Sequence, residues 1–264
     1  YSRIDSVGKQ ENGNRGKLPK ASKISLISKH FIRIAAVAAV ALVSFIGGKV
    51  YLENSRPEIL LSELVVSNGD MKNMALPDGS GLTINAGSVM IYPEQFHEKK
   101  RSVYLVGEAV FDVESDRKKP FIVRTGAFDV EVLGTKFNVA AYPDNENHSV
   151  TLIEGKVTVN VHSDQHILTM LPGQQFIYNT RSGKYTRKDA DLDIATAWTR
   201  GELIFRDASV REILLTLGRR FDVVCQYSNG KCNKDKYNSR FRVDTDIEEA
   251  RSILNQRVGP FRYE

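Results

Sequence analysis

Sulfur, imidazole and indole are scarce in this chain. Among 264 residues there are two cysteines, five histidines and one tryptophan. Two cysteines are too few for a disulfide scaffold or a thiolate zinc cage. The histidines include no His-x-His pair, which removes the ligand set of a cupin-type metal enzyme. Aromatic residues form no obvious cluster on one exposed strand face, as a glycan platform would need. Asp78, Glu108 and Asp112 can be cast as glycosidase carboxylates. Acidic residues in turns and at strand edges explain them more simply. No metal, cofactor or enzymatic chemistry is expected.

Long apolar runs are also missing, with one exception. Phe31 to Leu52 reads FIRIAAVAAVALVSFIGGKVYL, with an uninterrupted centre from Ile34 to Gly48. That centre is short for a membrane span. Arg33 and Lys49 can snorkel to the two headgroup layers, and Tyr51 suits an interface, so 31–52 is expected to be a transmembrane helix. A cleaved signal peptide is the alternative, but the polar stretch ahead of the run is long for one. The net charge is +5, and much of it lies in front: Arg3, Lys9, Arg15, Lys17, Lys20, Lys23, Lys29 and Arg33 face only Asp5 and Glu11. This asymmetry predicts a cytoplasmic basic linker over 1–30, an inner-membrane anchor, and everything later outside the cytoplasm. Anionic lipid is the near partner of these charges, so no nucleic-acid role is expected.

Residues 57–188 alternate with period two, broken by Gly, Pro, Asn and Asp. Val103, Leu105, Gly107, Ala109, Phe111 and Val113 share one strand face. Phe121 with Val123, then Phe128, Val130 and Val132, Phe137, Val139 and Ala141, and Val157, Val159 and Val161 repeat the habit. Gly107, Gly134, Gly155 and Gly173 each read as leading a new strand. An all-β sandwich and a wound, solenoid-like sheet both fit. From Asp189 the texture changes. Residues 189–200 read as a linking helix bearing Trp198, packed between domains. Glu202–Phe205 reads as a strand, and Ser209-x-x-Glu212 as a capping box opening a helix on Val210, Ile213, Leu214, Leu217 and Phe221. Val223–Tyr227 and Tyr237–Val243 read as strands, and Thr245-x-x-Glu248 as a second helix start. Phe261–Tyr263 begins a last, incomplete strand. Residues 189–264 are thus a small βαββαβ, α+β module.

These residues carry a family likeness. Leu76-Pro77-Asp78-Gly79-Ser80, Asn85-Ala86-Gly87-Ser88 and Tyr92-Pro93 resemble the opening of the periplasmic domain of FecR-type (iron-dicitrate sensor) regulators. The stretches Val103–Ala109, Pro120–Val123, Val132–Val139, Thr151–Gly155 and Leu171–Gln175 continue the series in the family's order. Ala197-Trp198 with Gly201–Phe205 resembles the junction to a C-terminal domain similar to the short signalling domain of secretins and TonB-dependent transporters. The resemblance, closest to a Bacteroidota-like branch, implies a transmembrane anti-sigma factor. Such a protein relays the state of an outer-membrane TonB-dependent transporter, through that transporter's signalling domain, to an extracytoplasmic-function sigma factor. Iron or glycan uptake genes are the regulated class. The sigma factor would be held by a cytoplasmic domain upstream; the chain opens on Tyr1, as a piece of a longer protein would. A membrane-tethered glycan- or cell-wall-binding module is the alternative.

Three sets of residues attract functional readings. Some members of the family cleave their own chain at a Gly-Thr bond, which would here be Gly134-Thr135: the Thr hydroxyl attacks the preceding carbonyl in an N-to-O acyl shift, and water then hydrolyses the ester. The plain alternative is a Gly turn before a strand. Glu202, Leu203 and Phe205, with Arg219, Arg220 and Phe221, are expected to dock the partner domain, by strand addition at an exposed edge. Cys225 and Cys232 flank a short loop and either pair in an oxidising compartment or remain thiols. His162 and His166 read as surface loop residues, as do His97 and His148.

Overall fold

The computed structural model describes residues 24–54, 59–97, 99–164, 166–227, 235–257 and 261–263. They fall into two units, divided after Pro57. The first contains a helix, α1 (Ile24–Asn54), that joins the basic flank and the apolar run into 31 residues. Ile34, Val37, Val40, Val43, Phe45 and Ile46 are all exposed along it. Among the described residues no helix is long and apolar enough to cross a membrane.

The second unit begins with a mainly β domain. Its strands are β1 (Leu61–Val66), β2 (Lys72–Ala75), β3 (Gly81–Ile84), β4 (Ser88–Pro93), β5 (Arg101–Asp112), β6 (Phe121–Arg124) and β7 (Phe128–Val132). They continue with β8 (Lys136–Ala141), β9 (Asn147–Glu154), β10 (Val157–Val161), β11 (Ile167–Met170), β12 (Gln174–Asn179) and β13 (Tyr185–Asp189). The long strand β5 belongs to two sheets. Its first half pairs with β4 and β6, leading on to β7, β10 and β11. Its second half pairs with β3 and β8, leading on to β9, β12 and β13. The sheets fold over one another as a half-barrel with a common core. Phe128 of the first meets Phe176 of the second edge-on at 5.3 Å, and Phe111 stacks on Phe137 at 5.1 Å. Every apolar residue assigned by alternation to an inward face is buried here. Of the ladders, β5 with β6 is parallel and its neighbours are antiparallel. Hairpin-like antiparallel pairing resolves the architecture toward a two-sheeted sandwich rather than a wound solenoid.

Two of the quoted motifs have structural explanations. Gly107 does not lead a strand but lies inside β5, where the chain changes sheets. Its φ is +117°, and a Cβ there would sit 2.3 Å from the Ser88 hydroxyl oxygen. Glycine is required on both counts. In Leu76–Ser80, Asp78 accepts hydrogen bonds from the Ser80 amide and hydroxyl, closing the turn. Asp78 also accepts from the buried Arg101 guanidinium at 2.7 Å, so the motif anchors an internal ion pair.

A junction follows: α2 (Leu192–Thr196) and a single 3-10 turn, Ala197–Arg200. The expected continuous helix over 189–200 is thus short and broken. Asp191 caps α2, and Gly201 ends the turn at φ +77°. The C-terminal module contains β14 (Leu203–Ser209), α3 (Val210–Phe221), β15 (Cys225–Tyr227), β16 (Lys236–Phe241), α4 (Ile247–Arg257) and β17 (Phe261–Tyr263). This is the expected βαββαβ order. Its strands form two separate ribbons, β14 with β16 and β15 with β17. Ser209 caps α3 by accepting from the Glu212 amide, as read from the sequence. The second cap is displaced by one residue: Asp246, not Thr245, accepts from the Glu249 amide. Thr245 instead accepts from the Arg242 amide and closes the preceding turn.

Candidate functional site

A cleft of about 630 Å³ opens between the second sheet, the junction and the C-terminal module. Its floor follows from strand alternation. Phe137, Val139, Val150 and Leu152 point into the core, so the residues between them point outward. Register aligns these outward residues in two rows. One runs Glu108, Ala140, Ser149, Ile177; the other runs Val110, Asn138, Thr151, Gln175, Lys188. The result is a polar sheet face, roofed at one end by the junction. Thr151 and Asn138 are buried beneath that roof although they face away from the core.

Glu108 is the chemical centre of this floor. Its carboxylate accepts from the Asn85 amide at 2.8 Å and the Asn138 amide at 3.0 Å. Protein crowds the carboxylate, yet the residue keeps partial exposure to the cleft it lines. Burial pushes its pKa above the ordinary carboxylate range; the two amides, the Arg219 charge and the Trp198 indole N–H pull it part of the way back. The indole N–H lies close enough to favour the charged carboxylate but makes no hydrogen bond of good geometry. Among the described residues the Asn138 side-chain carbonyl oxygen is also buried without a partner. Among the described residues Glu108 forms no ion pair. Glu212, in the first turn of α3, lines the same cleft and is likewise pushed up by burial, with Lys236 opposing.

Arg219 of α3 pins the C-terminal module to the β domain. Its guanidinium lies over the Tyr142 ring at 3.8 Å. It donates to both Asp144 carboxylate oxygens at 3.0 Å and to the Asn145 side chain at 3.0 Å. Its backbone carbonyl accepts from the Gly69 amide at 2.7 Å. The Tyr142 hydroxyl, buried beneath, donates to the Ala86 carbonyl at 2.8 Å, and burial raises its pKa.

The geometry can be set beside known proteins. The FecR protein profile matches residues 62–158, and the FecR, C-terminal profile matches residues 202–264. Two crystal structures of a candidate anti-sigma factor from Parabacteroides distasonis ATCC 8503, at 1.65 Å and 2.50 Å resolution, are 34% identical to this chain. They superpose with TM-scores of 0.69 and 0.70, cover 75% and 76% of this chain, and are themselves covered to 92%. The chain belongs to the FecR family. No functionally curated protein matches it.

The two FecR matches lie on either side of the cleft, and three of the motifs that carry the family likeness converge on its floor. Asn85 comes from Asn85–Ser88, Glu108 from Val103–Ala109 and Asn138 from Val132–Val139. The spacing of these motifs along the chain does not show that their polar residues meet. The available signal was the outward phase of β5: a Glu between inward Gly107 and Ala109 faces away from the core.

The residues expected to dock a partner have divided fates. Leu203 and Phe205 are buried in the core of the C-terminal module, and Phe221 packs against it. Their side chains are not a docking surface; the edge of β14 is what lines the cleft. Arg219 is committed to the chain's own Tyr142 and Asp144. Glu202 lines the cleft and pairs with Arg240 at 2.7 Å. Arg220 also lines the cleft, its guanidinium 5.8 Å from the Phe221 ring centre.

The remaining candidates lie elsewhere. Gly134-Thr135 forms the turn between β7 and β8. A Cβ on Gly134 would lie 2.7 Å from Ser115, so a close backbone approach accounts for the glycine. The Thr135 hydroxyl donates to the Lys156 carbonyl at 3.0 Å. Cys225 is half-buried on β15, with its thiol pushed up to about 11 by burial; Cys232 lies outside the described residues. Arg33, Lys49 and Tyr51 lie on α1, and the Tyr51 side chain is outside the described residues. Among the described residues no three metal-ligating side chains cluster. His162 bonds Asp129 at 3.0 Å and His166 stacks on Tyr185. His148 is not a loop residue. It is the second residue of β9, buried, and bonds the Tyr142 carbonyl at 2.9 Å. The turn-forming run before it concealed the strand start.

Proposed function

We propose that this chain is the anchor and extracytoplasmic part of a transmembrane anti-sigma factor. It relays the state of an outer-membrane TonB-dependent transporter to an extracytoplasmic-function sigma factor and so regulates nutrient uptake genes. The supporting observation is the pair of FecR matches in series, with a likeness spanning nearly all of a solved candidate anti-sigma factor. The anchor is the helix through Ile34–Gly48, whose apolar side chains are exposed and whose run Arg33 and Lys49 extend by snorkelling. Its N-terminus faces the cytoplasm, because the basic residues precede it. A reporter fused after residue 264 is expected to be active outside the cytosol only; activity confined to the cytosol rejects this orientation.

Docking of the transporter's signalling domain occurs along the edge of β14. Full-length protein in detergent is expected to capture the signalling domain of a transporter whose gene neighbours its own. Ile204→Pro, which removes a backbone donor from β14, is expected to abolish capture. Undiminished capture by that variant rejects the docking site.

Self-cleavage at Gly134-Thr135 is part of the same reading. Purified wild-type protein is expected to yield a fragment beginning at Thr135, and Thr135→Ala none. Intact wild-type protein by mass spectrometry rejects the reaction.

A further inference from the structure

The cleft meets β14 edge-on. Successive side chains of a strand point to opposite faces, so a cavity lined by every residue from Glu202 to Ala208 touches the strand along its backbone rather than along one face. Among the described residues β14 pairs only with β16, which leaves its other edge without a ladder. Opposite that edge lies the polar floor, where Ser149, Asn147 and Gln175 offer hydrogen bonds to whatever enters. An unpaired strand edge above a polar floor accommodates an extended segment.

Charge then distinguishes among segments. Several acids and bases at the mouth are paired: Arg206 with Asp191 at 2.7 Å, Glu202 with Arg240, and Arg219 with Asp144. The floor is different. Glu108 lacks an ion pair and accepts hydrogen bonds from two amides, and the nearby Asn138 side-chain carbonyl oxygen is a buried acceptor without a donor, both among the described residues. Two acceptors, one of them a carboxylate, line the cleft, and none of the cations that also line it (Lys188, Arg206, Arg219, Arg220 and Lys236) forms an ion pair with Glu108 among the described residues. Such a pair is satisfied by a group that is positively charged and rich in N–H donors.

We propose that the cleft receives an extended segment of the partner domain, laddered to β14, that sends a lysine or arginine side chain down to Glu108. The inference rests on the docking site proposed above and adds the chemistry that selects the partner. Backbone pairing supplies adhesion common to any strand, and the Glu108 contact supplies discrimination. A segment with Met or Glu at that position leaves the carboxylate unanswered or repelled.

The test is a double-mutant cycle between full-length protein in detergent and the captured signalling domain. Each lysine and arginine of that domain is changed singly to Met. One such change is expected to weaken binding about tenfold, the size of a close charge pair's coupling. Combined with Glu108→Gln, that same change is expected to have almost no further effect. Thermal melting of Glu108→Gln confirms that the near-isosteric variant is folded. Strictly additive losses at every basic position, with capture by the wild type intact, overturn the Glu108 contact and leave the docking site standing. Loss of Ile204→Pro sensitivity overturns the docking site, and the contact with it.

Discussion

The β domain and the C-terminal module hold together by different means. The β domain buries Phe111, Phe121, Phe128, Phe137 and Phe176 completely, in a core drawn from both sheets. The C-terminal module has two short ribbons and a smaller core on Leu203, Phe205, Leu217, Phe241 and Leu254. Small cores are marginal. Arg219 and the Trp198 turn join this module to its larger neighbour, so the cleft wall that β14 provides depends on polar contacts with the β domain. The larger core thus supplies the floor of the cleft and the smaller one its β14 wall.

Removing core aromatics tests the contrast most severely. Phe137→Ala is expected to cost about 3–5 kcal/mol and to unfold the β domain, the floor included. Leu217→Ala, at about 2–5 kcal/mol, is expected to disorder the C-terminal module while leaving the β domain's strands protected from hydrogen exchange. A single cooperative transition in both variants breaks the comparison. Next in size is Arg219→Ala. It removes the stacking on Tyr142 and the paired bonds to Asp144, about 1–3 kcal/mol, discounted because Asp144 is half-exposed. With one tryptophan in the chain, fluorescence is a direct reading: a red shift of Trp198 emission, with β-domain stability unchanged, sharpens the division. Ser209→Ala is smaller, at about 1 kcal/mol, because it removes the cap of α3 alone. Faster exchange confined to the first turn of α3 is the expected result.

The smallest effect concerns pH. Burial holds the folded-state pKa of Glu108 above its value in the unfolded chain. The folded state therefore binds that proton more tightly. Its contribution to stability is complete below the ordinary carboxylate value of 4.5 and is lost as pH rises through the raised folded value. Glu212 acts in the same direction. Glu108→Gln is expected to flatten the fall of melting temperature with rising pH in that window. An unchanged slope assigns the dependence to Glu212 or elsewhere.

Much of the fold was legible in the residues, because alternation is local. A Val-x-Leu-x-Gly-x-Ala-x-Phe run commits its inward face wherever the strand finally pairs. The Ser209 cap was legible for the same reason, since its donor is three residues away. The register-dependent features were not. Gly107 reads as a strand start but is a mid-strand crossing between sheets, because its requirement comes from Ser88 on β4. Arg219 reads as a residue that docks a partner domain, but its partners in the fold, Tyr142 and Asp144, lie some seventy positions earlier in the same chain.

The sequence by itself determined which segments are strands and helices, which faces are apolar, and the motifs that mark a FecR chain. Those properties follow from side-chain periodicity and backbone chemistry over a few residues. Tertiary structure alone decided that Asn85, Glu108 and Asn138 share one carboxylate, and that β14 stands with an open edge above them. The reason is that hydrogen-bonded register between distant strands, not spacing along the chain, sets which outward-facing residues become neighbours.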